Sequence, residues 1–327
     1  MKYFFLLLLI TCSLAPGYGA PPMQQLPDST DRTAADTARL RTDATLTLPY
    51  EMPNFWVNRA LDYNSTLSRS MAMSFFWMVY PAIAKNIKES DSIFTSTTGA
   101  NIDYDWQQEL LMYIGLKQQN GEEFNKILVF DKIADQWQVV FEETQGSKFY
   151  KPFTQPLKAD TVQKVFYYTE ESSWSASLNA TSTAFFKLLD GRVVPALSIM
   201  SKLYNNRQYG IFGETLHATS EHKVMGGDSI QVKYKYYVIM NEDAINTSLI
   251  NDSAVVMYYW NKDSLEYLPR FRPGAKLNNA KILSMTDWAG NTTYYMDAFA
   301  PELERIRKKG TKDQKKALKK LKKAKKN

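Results

Sequence analysis

Residues 229–240 read SIQVKYKYYVIM, with Ile230, Val232, Tyr234, Tyr236 and Val238 on alternate positions and Gln231, Lys233, Lys235 and Tyr237 between them. A period of two puts the first five side chains on one face of an extended strand. One face is made for a core and the other for water, the pattern of an antiparallel sheet with one wet side.

The pattern continues in both directions along the chain. Residues 255–260 and 265–271 are apolar and aromatic runs around Asn261-Lys262-Asp263-Ser264, which predicts a hairpin. Upstream, residues 184–189 end at Asp190-Gly191, a pair suited to the positive φ of a tight turn into Arg192-Val193-Val194. Residues 126–130 and 136–141 flank a five-residue segment, 131–135, and predict a second hairpin; residues 109–115 and 165–169 predict further strands. Residues 66–80 are too continuously apolar for period to decide, so length favours a buried helix, limited by Pro81. The expected fold is mainly β, antiparallel hairpins in a sandwich or a partial propeller-like arrangement with an N-terminal helix; α+β is the alternative.

The length leaves room for one large domain or two small ones, with enough apolar side chain for a core. Of 327 residues, 44% are hydrophobic and 23% charged, and no apolar run beyond the N-terminus reaches the roughly 18 residues that span a bilayer. Disordered, fibrous and multi-pass membrane classes are excluded. The net charge of +6 is unevenly spread: residues 301–327 carry 13 Lys and Arg against three acids, leaving a mildly acidic body.

Met1-Lys2 followed by YFFLLLLI at residues 3–10 predicts a secretory signal over residues 1–19, with small residues Gly17 and Gly19 ahead of a cut before Ala20. Cys12 offers a rival reading as the lipidated first residue of a lipoprotein. A cut before Ala20 leaves no cysteine, which excludes disulfides and thiolate chemistry and favours export in a Gram-negative bacterium, to the periplasm or cell surface. Residues 20–54 are rich in Pro, Thr, Asp, Ala and Arg and predict a flexible tether before a globular domain at 55–300. Seven Asp residues (28, 36, 91, 160, 228, 252 and 263) begin Asp-Ser/Thr triplets ending in an aliphatic residue or Thr; the pattern resembles the O-glycosylation signal of exported Bacteroidota proteins, and singly it is also turn chemistry.

The strongest candidate site is the stretch NIDYDWQQE at residues 101–109, running directly into the strand LLMYI. Oxygen ligands from Asn101, Asp103, Asp105 and Glu109, at positions 1, 3, 5 and 9, can converge on Ca²⁺, a hard ion that takes six to eight oxygens. The stretch resembles the FG-GAP/VCBS-type unit of secreted β domains, whose Asp-rich loop also leads into an aliphatic strand. That resemblance covers about residues 101–115 and implies turn, strand and hairpin. Trp106 stands where that family has Gly, so a bend needing positive φ would make metal geometry costly here. A metal-free polar turn is the other reading.

His217 and His222, the only histidines, are five apart, a spacing that puts them on opposite faces of a strand and far apart around a helix. Only a loop would bring both to one metal, and ordinary loop histidines are the expectation. Met225-Gly226-Gly227-Asp228 predicts a turn, not a phosphate cradle, and no Gly-x-Ser-x-Gly elbow occurs. Asp103, Asp105, Glu142 and Glu143 with the tyrosine clusters leave open a glycan-binding module or a glycan-active enzyme using acids and aromatics on the sheet.

The tail from 301 to 327 is expected to be helical or disordered. Residues 312–326 read KDQKKALKKLKKAKK, with Ala317, Leu318, Leu321 and Ala324 as a narrow apolar stripe among lysines. Lys315, Lys316, Lys319, Lys320, Lys322 and Lys323 are the candidate anionic-surface residues. Their expected partners are anionic envelope lipid, lipopolysaccharide or acidic glycan; the absence of aromatics from the last 27 residues argues against nucleic-acid stacking. The expectation is an exported, non-enzymatic, envelope-associated protein without a transmembrane segment once the signal is removed.

Overall fold

A computed structural model of the chain describes residues 48–63, 65–119, 121, 123–144, 157–162, 164–175, 178–209, 212–226, 228–242, 245–286 and 296–324. The expected signal segment, Cys12 and most of the expected tether lie outside these residues.

Two antiparallel sheets carry the fold. The first has strands β1 (Tyr50–Glu51), β2 (Ser92–Ala100), β3 (Glu109–Lys117), β4 (Glu123–Ile133) and β5 (Gln136–Thr144) in the order β1-β5-β4-β3-β2. The second is an unbroken meander of β6 (Lys158–Asp160), β7 (Val165–Ser175), β8 (Leu178–Leu189), β9 (Arg192–Tyr209), β10 (Phe212–Met225), β11 (Ser229–Glu242), β12 (Ile245–Asn261) and β13 (Glu266–Arg270). Helices α1 (Asn54–Tyr63), α2 (Arg69–Val79) and α3 (Pro81–Ala84) precede β2, and α4 (Asn279–Thr286), α5 (Ala300–Lys309) and α6 (Lys312–Ala324) follow β13. The mainly β expectation holds, with two open sheets. Among the described residues, no helix is long and apolar enough to cross a membrane.

Turn chemistry sets the hairpins. Asp190 and Gly191 both have positive φ, 50° and 69°, with Leu189 opposite Arg192, as a two-residue turn of the type that follows strand twist requires. Between β4 and β5 the five-residue loop expected at 131–135 shrinks to Ala134-Asp135, both at positive φ, because Asp131, Lys132 and Ile133 stay in the ladder opposite Gln138, Trp137 and Gln136.

Three apolar layers hold these elements. Ile230, Val232, Tyr234, Tyr236 and Val238 of β11 are all buried in one cluster with Leu303 and Ile306 of α5 and Ala317, Leu318 and Leu321 of α6, while Lys233 and Lys235 are exposed. Leu111, Tyr113, Ile127 and Val129 of the smaller sheet meet Phe166, Tyr168, Phe186 and Leu188 of β7 and β8 in a second cluster. On the other face of the smaller sheet, Trp56 of α1 and Phe75 of α2 stack around Phe130, with ring centroids 5.3–6.4 Å apart. Strand β3 is thus covered on both faces, which is why its sequence is continuously apolar rather than alternating.

Helix α2 confirms the expected buried helix; Ser68 caps it by accepting from the Met71 N–H at 3.3 Å, and the chain turns at Pro81. The ordered body begins earlier than residue 55. Tyr50 and Glu51 pair with Val139 and Gln138 and so cover the edge of β5, and Asn54 accepts from the Trp137 N–H at 3.1 Å. A two-residue strand has too few apolar positions to stand out from the Pro- and Thr-rich text before it.

Phe130 is fully buried between two helices and its own sheet. Phe130→Ala should cost about 3–5 kcal/mol of unfolding free energy, measured as a lowered urea midpoint.

Candidate functional site

The segment between β2 and β3 folds as the expected tight polar loop. Asp103 Oδ1 accepts from the Asp105 N–H at 2.9 Å and Asp105 Oδ1 from the Gln107 N–H at 2.6 Å. The Asn101 amide donates to the Asp105 and Gln107 carbonyls at 2.7 and 2.8 Å, which closes the loop. Glu109, fully buried at the start of β3, accepts from the Ile102 N–H through Oε2 at 2.5 Å, and its Oε1 has no hydrogen-bond partner among the described residues.

Carboxylate oxygens of Asp103, Asp105 and Glu109 lie within 4.8 Å of one another. Burial and the negative charges of Asp103, Asp131 and Asp105 push the Glu109 carboxyl up to about 8, against the opposing Ile102 N–H. Burial is also the leading reason that the Asp103 and Asp131 carboxyls are raised, reinforced in each case by neighbouring carboxylates. Lys164, in the β6–β7 turn, donates to the side-chain and main-chain oxygens of Asn101. Asn101, expected as a ligand, therefore has its side-chain oxygen engaged by an ammonium, whereas Asp103, Asp105 and Glu109 each commit one carboxylate oxygen to a backbone N–H.

Trp106 raises no obstacle to the bend. Among the described residues, positive φ outside glycine occurs at Ala134, Asp135, Lys164, Asp190, Asp228 and Leu265, and at none of residues 101–109. The bend of the metal-free loop is made by side chains accepting from the backbone two residues on, so this conformation needs no left-handed residue at Trp106. Trp106 and Tyr104 instead project from the loop, 88% and 68% exposed.

Further residues converge on this end of the two sheets. Lys187, in the run FFKLL of β8, is fully buried, with Nζ 3.0 Å from Asp228 Oδ1 in the β10–β11 turn. The rings of Trp260, Tyr267 and Tyr104 surround that ammonium at 5.0, 5.7 and 6.0 Å. Burial lowers the Lys187 pKa and Asp228 opposes the shift. Sequence reasoning missed this cluster, although a lysine inside an aromatic strand one turn from Asp190-Gly191 was the available signal. On its other side β9 pairs with β10 only as far as Lys202 opposite Thr219, so the half of β9 that holds Pro195, which has no N–H, pairs with β8 and not with β10.

The other candidates are placed as follows. His217 and His222 lie on strand β10, not in a loop, and on opposite faces as their spacing demands. His217 packs on Tyr237 at 4.6 Å, and His222 meets Tyr167 and Phe185 edge-on, each at 5.0 Å. Glu142 pairs with Lys126 at 2.6 Å and Glu143 accepts from Tyr168, so neither joins the loop carboxylates. Of the Asp-Ser/Thr triplets, the one at Asp228 is turn chemistry, because Ser229 is buried and donates to the Gly226 carbonyl at 3.0 Å; the triplets at Asp28 and Asp36 lie outside the described residues.

The tail is helical and packed. Thr311 and Gln314 cap α6 reciprocally, at 3.0 and 3.2 Å, and the Gln314 amide donates to the Ser248 carbonyl of β12 at 2.9 Å. Ala317, Leu318 and Leu321 are spent on the sheet's core. Lys315, Lys316, Lys319, Lys322 and Lys323 are exposed and Lys320 half-buried. On α5, Arg305, Arg307, Lys308 and Lys309 are exposed, with Glu304 held by Arg307 at 2.5 and 2.7 Å and by Lys308 at 3.6 Å. Residues 325–327 lie outside the described residues.

Comparison with protein families, characterised proteins and solved structures finds no match.

Burial leads in depressing both histidine pKa values, aided by Lys202 at His217 and Lys158 at His222. The folded state then binds fewer protons than the unfolded chain as pH falls through about 6.5, so their contribution to stability is complete above that pH and lost below it. His222→Phe should flatten the fall in melting temperature between about pH 7 and pH 5, followed by circular dichroism.

Proposed function

We propose that this chain is an exported, non-enzymatic protein of the cell envelope that holds anionic surfaces through the cationic faces of α5 and α6. The observation that carries the reading is the division of α6: Ala317, Leu318 and Leu321 are buried in the body, and the opposite side is lysine. A docked helix presents its charges in a fixed array, without the ordering cost of a disordered tail. Because the apolar stripe is already used, attachment rests on charge and not on insertion. Each lysine close to an anionic membrane contributes about 1 kcal/mol, an attraction that extends about one Debye length, about 8 Å at physiological salt. The surfaces of matching chemistry are anionic lipid, lipopolysaccharide and acidic glycan. The apolar N-terminal stretch at residues 3–10 supports export, with anchoring through Cys12 as the alternative route to the envelope.

A second reading is favoured by the exposure of Trp106 and Tyr104 beside the loop carboxylates. Exposed aromatic faces next to acids suit stacking and hydrogen bonding to a glycan, and Trp106→Ala should abolish retention on any glycan that the intact chain binds.

For the first reading, replacing Lys315, Lys316, Lys319, Lys322 and Lys323 by Glu in the full chain should abolish co-sedimentation with vesicles containing phosphatidylglycerol, and about 0.5 M salt should do the same to the unaltered chain. The buried stripe is untouched, so the melting temperature should stay close to that of the parent. Binding by the charge-reversed chain equal to the parent's, or no vesicle binding by the parent at low salt, defeats the proposal.

A further inference from the structure

Acidic loops on protein surfaces usually turn their carboxylates to water, and the β2–β3 loop does so at only one of its three. Asp105 is exposed, Asp103 half-buried and Glu109 wholly buried, yet their oxygens converge within 4.8 Å. Asp103 and Asp105 each commit one oxygen to a backbone N–H of the loop. Glu109 commits Oε2 to Ile102 and keeps Oε1 buried and unpartnered. An orphaned buried carboxylate oxygen costs about 1–3 kcal/mol, more when charged, and the buried Asp131 adds a fourth acid nearby. Lys164 donates to Asn101 and its charge opposes the rise of the Asp103 carboxyl, but among the described residues it makes no ion pair with these acids.

We infer that the β2–β3 loop binds a hard divalent cation, Ca²⁺, with Asp103, Asp105 and Glu109 as its carboxylate ligands. The orphaned Glu109 oxygen and the convergence of three carboxylates are together explained by one bound ion. The donor set is all oxygen, which suits Ca²⁺ and not Zn²⁺, and loop carbonyls and water complete a shell of six to eight. Ca²⁺ also tolerates irregular geometry and a wide first shell, whereas Mg²⁺ demands a near-ideal octahedron. The bound ion ties the loop to the first residue of β3 and so fixes Tyr104 and Trp106 in place. This inference is independent of the lysine face and survives its failure.

The test uses the full chain after dialysis against chelator, titrated with Ca²⁺ in a calorimeter and melted with and without the ion. A saturable heat with a dissociation constant of about 1 mM or tighter and a higher melting temperature in Ca²⁺ are expected. Trp106 lies three residues before Glu109, so binding should also change the tryptophan emission, and Trp106→Phe should remove that change without removing the heat. Asp103→Asn combined with Asp105→Asn should weaken binding by about tenfold or more, at positions open enough to water to leave folding intact. Glu109→Gln should do the same if it folds; if it does not, the double Asn variant decides alone. Absence of heat and of a melting shift at about 10 mM Ca²⁺, or a double Asn variant that responds like the parent, overturns the inference.

Discussion

A sheet eight strands wide with an aromatic inner face cannot stand alone in water, and this structure depends on what covers that face. Tyr234, Tyr236 and Tyr258 bring hydroxyls as well as rings into the interior. Tyr234 and Tyr258 satisfy each other at 2.8 Å, and Phe299 packs on Tyr236 at 5.5 Å. Helices α5 and α6 supply the remaining apolar surface through Leu303, Ile306, Leu318 and Leu321. The most highly charged segment of the chain is therefore part of the cover of the core. Lysine suits that place because its charge remains in water while the helix beneath it is buried.

The second constraint is electrostatic and sits at the opposite extreme of composition. Asp103, Asp105, Glu109 and Asp131 gather at one end of the two sheets, and Lys164 and Lys187 meet the same loop from β6–β7 and β8. Lys187 is neutralised by Asp228 and flanked by aromatic faces, an arrangement that makes a buried ammonium tolerable and ties three separate turns together. Among the described residues the acids of the β2–β3 loop make no such ion pair, and Lys164 acts on Asp103 only through its charge. The body thus carries an acid-rich site at the sheet ends and a lysine-rich surface on its terminal helices, two features that the overall net charge conceals.

Much of the architecture was legible because it is local. Alternation in β11, the Asp190-Gly191 turn, the hairpin around residues 261–264 and the long apolar helix before Pro81 each follow from a few neighbouring residues. The limits were equally physical. Strand β1 has only two residues and exists because β5 offers an edge. The loop at 131–135 was overestimated because its polar residues pair across the ladder. Of the β2–β3 loop, the acids were visible in sequence; the approach of Asp131 to Glu109 and the engagement of Asn101 by Lys164 involve partners 22 and 63 positions away. In the metal-free loop Asp side chains, and not a left-handed residue, make the turn, so Trp106 is accommodated there.

By itself the sequence determined the mainly β class, most strand and turn positions, the lysine-rich end and the oxygen-rich loop, since each depends on the period, propensity or charge of adjacent residues. The tertiary structure decided that the apolar stripe of α6 faces the sheet, that Lys187 is buried among rings, and that Glu109 keeps one oxygen without a partner among the described residues. Those outcomes depend on which surfaces meet across tens of residues, and burial, the quantity that sets the cost of a charge, is a property of the assembled fold and not of any stretch of chain.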